Sequence, residues 1–222
     1  MSKNYKSVFD IIGPVMTGPS SSHTAGACFI GKMARSIFGG TPESANIYLF
    51  ESFAKTYQGH GTNIALAGGL LGMEPSDPNL HDSLLIAKEN NLKLNFIPLA
   101  DKVDHPNTAR LVMRKGDKKM VVTGVSIGGG NAKITMIDDI SVDIDSGVAT
   151  VLIFHHDTKG MIAKVATVLS DLGINIASMK VDRESRGKDA YMVITLDQDT
   201  LSNSLDSLRL LDKIESVIYI EK

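Results

Sequence analysis

Residues 148–222 place two amphipathic helical segments among four short apolar runs, and that order of elements restricts the fold more than any other feature of the chain. "VATVLIFHHD" reads as a strand, and "KGMIAKVATVLSDLG" as a helix that stops at Gly173. "INIASMKVDRES" and "DAYMVITLD" are strands joined by an "RGK" turn, "SLDSLRLLDKI" is a second helix, and "ESVIYIE" is a last strand. The order β-α-β-β-α-β is the ferredoxin-like unit. By itself it implies no function.

The chain has 222 residues, enough for two modest domains. An acidic, polar stretch at Asp138–Gly147, "DDISVDIDSG", separates the ferredoxin-like pattern from what precedes it, so domains are expected at 1–147 and 148–222. In the first, a helix runs from near Ser22 to Phe38, with Ala27, Ile30, Ala34 and Ile37 on one face, and the Gly39-Gly40 pair ends it. "ANIYLFES" (45–52) reads as a strand, residues 59–73 as an apolar helix that Thr62 can cap, and "HDSLLIAKENN" as an amphipathic helix. A strand in "LKLNFIPLA" follows, then a hairpin across "GDKK" and a third strand in "AKITMID". The fold class is therefore α+β, with a mixed domain before the ferredoxin-like one.

Composition narrows the function classes. Apolar residues are 43% and charged residues 22%, which is a globular balance, and the net charge of -2 gives no reason to expect a nucleic acid partner. No apolar run approaches the ~20 residues that cross a bilayer, and "MSKNYKSVFDIIG" is too polar and short for a secretory signal. A cytoplasmic protein is expected. The single cysteine, Cys28, permits no internal disulfide and cannot hold a zinc or iron–sulfur centre, which takes about three or four protein ligands; it reads as core.

Four segments carry residues suited to binding or catalysis. "GPSSSHTAG" (18–26) crowds Ser20, Ser21, Ser22 and Thr24 around His23 at a helix start. One hydroxyl is enough to cap a helix. The others would add donors around a carboxylate or phosphate already favoured by the helix N-terminus, beside a histidine that titrates near neutrality. The same residues would also serve as a cap with spare surface serines. "GHGTN" (59–63) repeats the design with His60 and Thr62, "DHPNTAR" (104–110) offers His105 and Asn107 in a turn, and "VSIGGGNA" (125–132) offers Gly128 and Gly129 for close approach of backbone to a ligand.

The start of the last domain, with Asp157 and Gly160 in the loop from strand to helix and "LGINI" after it, resembles an ACT domain. Taken in order, "GPSSSHT", "KTYQGHGT", "HPNT" and "SIGGG" before that tail resemble the β chain of the two-subunit, iron–sulfur-dependent bacterial L-serine dehydratase, over nearly the whole chain. The resemblance implies a first domain similar to the allosteric substrate-binding domain of some phosphoglycerate dehydrogenases. It also implies a partner α chain whose cysteines hold a [4Fe-4S] cluster, with a Lewis-acidic iron polarising substrate oxygens. L-serine would lose its α-proton and its β-hydroxyl, and the aminoacrylate would tautomerise and hydrolyse to pyruvate and ammonia.

On this resemblance His23 or His60 transfers the proton, while Ser20, Ser21, Ser22, Thr24, Thr62, His105, Asn107, Gly128 and Gly129 bind substrate or order the pocket. Asp157 and Gly160 lie near any effector, no metal ligand is expected on this chain, and copies pair through the ACT domain. His155 and His156 are read as structural or as neighbours of the effector loop. Many relatives are expected to carry Asp where this chain has Asn63, so no acid–base role is given to it. The other reading is a non-catalytic amino-acid-sensing module that regulates another enzyme; a neighbouring reading frame rich in spaced cysteines would favour the dehydratase.

Overall fold

The computed structural model describes residues 15–183, 185–200 and 202–222. "MSKNYKSVFDIIG", judged above as a signal candidate, lies outside the described residues. The chain divides into two compact units, the first ending at Ser146 and the second beginning at Gly147.

In the first unit a π-helical turn, Ser21–Ala25, leads into α1, Gly26–Phe38. Then come β1 (Ser44–Leu49), α2 (Glu51–Thr56), α3 (Thr62–Leu71), a 3-10 turn (Leu80–Asp82) and α4 (Ser83–Glu89). The strands β2 (Lys93–Pro98), β3 (Thr108–Lys115), β4 (Lys118–Gly128), β5 (Asn131–Ile137) and β6 (Ile140–Asp145) complete it. The sheet order is β2-β1-β3-β4-β5-β6. Only β1 and β2 pair in parallel, and helices α2 to α4 make the crossover such a pair requires. Alternation fixes the register: Ala45, Ile47 and Leu49 of β1 are buried, as are Ala109, Leu111 and Met113 of β3, with Ile47 opposite Leu111.

Helices α1 and α3 pack backbone to backbone. A methyl built on Gly69 would lie 2.1 Å from Cys28 O and 2.6 Å from Lys32 N, and one on Gly31 would lie 2.6 Å from Leu66 O. The glycines let the helices approach this closely, and the two helix starts come together with them. Thr24 at the head of the α1 helix donates to His60 O, just ahead of α3, at 3.3 Å.

Three sequence readings need correction here. The expected strand 45–52 stops at Leu49, and Glu51 and Ser52 open α2 instead. The chain turns at Glu51, whose φ is 47°, a left-handed conformation unusual for a residue with a side chain. The acidic stretch 138–147, read above only as a domain boundary, holds a strand that was not expected: most of it is β6, with Val142 and Ile144 buried and Ser141, Asp143 and Asp145 facing out. Charged residues on an edge strand discourage pairing with other chains, and Lys133 on β5 bridges Asp143 at 2.6 Å and Asp145 at 3.3 Å. Third, Thr62 does not cap α3. Gly61 occupies the cap position with φ 68°, and Thr62 is the first helical residue, fully buried.

The second unit holds β7 (Thr150–His156), α5 (Met161–Asp171), β8 (Ile176–Arg183), β9 (Asp189–Leu196), a 3-10 turn (Ser202–Leu205), α6 (Asp206–Arg209) and β10 (Ile214–Ile220). Its antiparallel sheet has the order β10-β7-β9-β8, that of the ferredoxin-like unit. Met161, Val165 and Leu169, four apart on α5, pack with Val151 and Ile153 of β7 and Met192 and Ile194 of β9. The second helix is shorter than the expected 204–214. Leu205 and Leu208 are buried, but Leu210 is 85% exposed, and the turn at Lys213, with φ 71°, redirects the chain into β10.

Candidate functional site

Ser20 has extended backbone (φ −145°) and its Oγ accepts from His23 N at 3.2 Å, so it supplies the one hydroxyl that capping requires. Ser21 opens the π turn and its carbonyl accepts from Gly26 N. The hydroxyls beyond the cap gather around the His23 ring. Ser22 Oγ lies 3.4 Å from Ser20 Oγ and 3.0 Å from His23 Nδ1. His23 Nε2 lies 3.1 Å from Ser52 Oγ.

The ring also meets the edge of Phe53, with centroids 5.2 Å apart, and a tilted His60 at 5.0 Å. Burial lowers the pKa of His23 below the ordinary histidine value, and the nearby His60 lowers it further. At neutral pH His23 is therefore an uncharged imidazole, able to accept a proton.

Two of the other segments join this one through main-chain bonds. Pro106 O accepts from Ser52 N at 2.9 Å, and Asn107 O accepts from Ser126 N at 3.0 Å. Asn107 Nδ2 donates to Ser126 O at 3.5 Å. His105 Nδ1 accepts from Asn107 N at 3.2 Å, and its carbonyl accepts from the Thr108 hydroxyl at 2.6 Å. Ser126 meets the head of α1, since a methyl built on Gly26 would lie 2.1 Å from Ser126 Oγ. Gly129 and Gly130, with φ 64° and 79°, form the two-residue turn between β4 and β5, flanked by the Gly128 and Asn131 pair. Their conformation is explained by the hairpin alone.

Of the expected residues, then, Ser20, Ser22, His23, Thr24 and His60 are brought together, and the His105–Asn107 loop is tied to them by backbone. Thr62 Oγ1, Asn63 Oδ1 and Ser126 Oγ are buried with no partner among the described residues. Ser52 and Phe53 were missed. Their signal lay in "FESFAKT", where a serine follows a strand and a helical segment begins, but the alternation was carried too far along the chain.

Cys28 is buried, its Sγ donates to Met73 O at 3.3 Å, and desolvation, followed by the Glu74 charge, pushes its thiol up to about 12. Such a thiol is not a ready ligand or nucleophile. In the second unit, Asp157 accepts from Gly187 N at 3.0 Å and from Arg183 Nη1 at 2.8 Å, and these two, the Gly187 N–H foremost, hold its carboxyl below the usual range. Gly160, with φ 82°, precedes α5. His155 is buried, with Nδ1 2.9 Å from His156 O. Among the described residues the one group of clustered metal-ligand types is His156, Asp189 and Glu215, all exposed, with His156 Nδ1 3.2 Å from Asp189 Oδ1 and 3.9 Å from Glu215 Oε1. No described helix is long and apolar enough to cross a membrane.

Comparison with known proteins places these features. Residues 7–135 match the family model described as serine dehydratase beta chain, and residues 149–209 match that of the ACT domain. The chain is 42% identical to a probable L-serine dehydratase, beta chain, of Bacillus subtilis, covering 98% of each. It is 36% identical to the L-serine dehydratase, beta chain, of Peptoniphilus asaccharolyticus, over 97% of this chain and 98% of that one. A D-3-phosphoglycerate dehydrogenase of Methanocaldococcus jannaschii is 27% identical over 64% of this chain and 27% of its own length.

Proposed function

The chain belongs to the serine dehydratase beta chain family and carries an ACT domain, and on that basis we propose that it is the β subunit of an L-serine dehydratase, converting L-serine to pyruvate and ammonia in the cytoplasm. The observation that carries this reading is the gathering of Ser20, Ser22, Ser52 and His60 about a neutral, partly buried His23. Abstraction of a proton next to a carboxylate needs a neutral base held in place, which contributes roughly 10²- to 10⁴-fold to the rate.

In this reading His23 or His60 takes the α-proton. Ser20, Ser21, Ser22 and Thr24 hold the substrate carboxylate or order the pocket around it, with Thr62, His105, Asn107 and the Gly128–Gly129 backbone in supporting places. The residues of this chain do not fit an iron–sulfur cluster, since Cys28 is its single cysteine and its buried thiol is bonded to Met73 O. We place the [4Fe-4S] cluster on the cysteines of a partner α chain. The ACT domain pairs copies or binds serine or a monovalent ion near Asp157–Gly160.

The test is anaerobic co-expression with the neighbouring cysteine-bearing chain, assaying pyruvate from L-serine for the pair and for each chain alone. Activity from the pair only is the expected result. An inactive pair with an intact cluster would refute the reading and leave a regulatory amino-acid-binding module.

A further inference from the structure

Both ring nitrogens of His23 are occupied. Nδ1 faces Ser22 Oγ at 3.0 Å and Nε2 faces Ser52 Oγ at 3.1 Å, while Ser22 Oγ continues to Ser20 Oγ at 3.4 Å. A neutral imidazole has one N–H and one lone pair. One ring nitrogen therefore donates to its serine and the other accepts from its serine's hydroxyl, and no bare lone pair of His23 is presented to a substrate. A proton reaches the ring only across a hydroxyl.

The two ends of this row differ. Ser20 Oγ is turned inward, accepting from His23 N as the helix cap. Ser52 is half-buried, and among the described residues its hydroxyl meets one hydrogen-bond partner, the His23 ring. Its backbone is held independently, by Ser52 N donating to Pro106 O at 2.9 Å and by the Thr56 hydroxyl donating to Ser52 O at 2.8 Å.

Resting on the dehydratase reading, we propose that Ser52 is a further catalytic residue, whose hydroxyl donates to His23 Nε2 and relays the proton between substrate and His23. Ser52 Oγ takes the substrate's α-proton as its own hydroxyl proton passes to Nε2. The carbon–hydrogen bond breaks and its electron pair stays on carbon, Ser52 exchanges one O–H bond for another, and the ring becomes an imidazolium whose Nδ1–H is held by Ser22. As that electron pair expels the β-hydroxyl, the proton returns across Ser52 to the departing oxygen, which leaves as water. His23 and Ser52 end as they began.

Two measurements on Ser52→Ala and Ser52→Thr test this, with wild-type thermal unfolding as the check on folding. The first is ring-nitrogen NMR of the full chain alone, labelled with ¹⁵N-histidine. Wild type and Ser52→Thr should show His23 protonated at Nδ1, and Ser52→Ala should move the proton to Nε2. A wild-type ring protonated at Nε2, or a tautomer unchanged in Ser52→Ala, overturns the relay.

The second is steady-state kinetics of the reconstituted pair. Loss of the hydroxyl should lower kcat by roughly 10²-fold or more, within the range for proton transfer, with KM little changed, and Thr should restore most of it. A Ser52→Ala pair as fast as an active wild-type pair overturns the relay while sparing the dehydratase reading. An inactive wild-type pair with its cluster intact overturns both.

Discussion

Gly68 and Gly69 are neighbours on α3, yet replacing each by Ala should have different consequences. A methyl at Gly69 would lie 2.1 Å from Cys28 O, 2.6 Å from Lys32 N and 2.9 Å from Gly31 C, all backbone of α1. A methyl at Gly68 would lie 2.2 Å from Leu80 Cδ1, the far end of a side chain rather than backbone, and 3.4 Å from Met73 Sδ. Both substitutions gain about 1 kcal/mol of helix propensity. Overpacking costs about 1–3 kcal/mol, towards the upper figure where backbone must move. Gly69→Ala should thus lose about 1–2 kcal/mol net and Gly68→Ala should stay within about 1 kcal/mol of wild type. Urea unfolding of the full chain, followed by circular dichroism, measures both. Because Thr24 and His60, joined by a hydrogen bond, stand just ahead of α1 and α3, prising the helices apart should also weaken the His23–His60 contact, seen as a change in His23 ring shifts in Gly69→Ala alone. A Gly69→Ala protein as stable as Gly68→Ala would refute the claim that these helices touch through their backbones.

His23→Ala and His60→Ala should each lower kcat/KM of the reconstituted pair by roughly 10²-fold or more, and a loss under about threefold would remove that residue from the proton-transfer step. In His60→Gln, the pKa of His23 followed by NMR should rise, because the electrostatic influence of the His60 ring is gone, but stay below the ordinary histidine value because burial is the larger cause. The Asp157 carboxyl is depressed chiefly by the Gly187 N–H and then by Arg183, so this link's stabilisation is present above the ordinary carboxylate range and is lost as pH falls through the lower folded value. The Gly187 amide shift should therefore titrate with a midpoint below that range and be flat in Asp157→Asn. The Cys28 thiol, pushed up to about 12 and buried, should react with a disulfide reagent at pH 8 only as fast as the chain opens; labelling as fast as in urea would contradict its burial.

What could be read in the sequence was whatever depends on local period. The strand and helix order of residues 148–222 followed from apolar spacing, and the face of α1 followed from Ala27, Ile30, Ala34 and Ile37, all buried. At Asp138–Gly147 the acidic composition marked a domain boundary but hid the strand within it. The same residues alternate with Ile140, Val142 and Ile144, and charge on one face of an edge strand looks like a polar segment unless the period of two is given priority. Thr62 misled for a related reason. A threonine before an apolar run is a common cap, but Gly61 in the left-handed region does the turning and frees Thr62 to be buried inside the first turn.

The site was less legible than the fold because its key contact joins residues 29 apart, His23 and Ser52, across a turn that no local signal announces. Glu51 adopts φ 47° with a side chain in place, a conformation that costs roughly 1–2 kcal/mol for a residue other than glycine. Sequence rules look for glycine at such a position and here find a glutamate instead. Backbone bonds hold the turn: Phe50 N donates to Thr108 O at 3.1 Å and Ser52 N to Pro106 O at 2.9 Å, so the "HPNT" loop fixes where Ser52 stands. The loop that carries His105 and Asn107 thus contributes to the His23 centre through its carbonyls whatever its side chains do. Histidine and serine could be named from the chain because their chemistry is intrinsic, whereas the carbonyl of Pro106 acquires its role only from the fold.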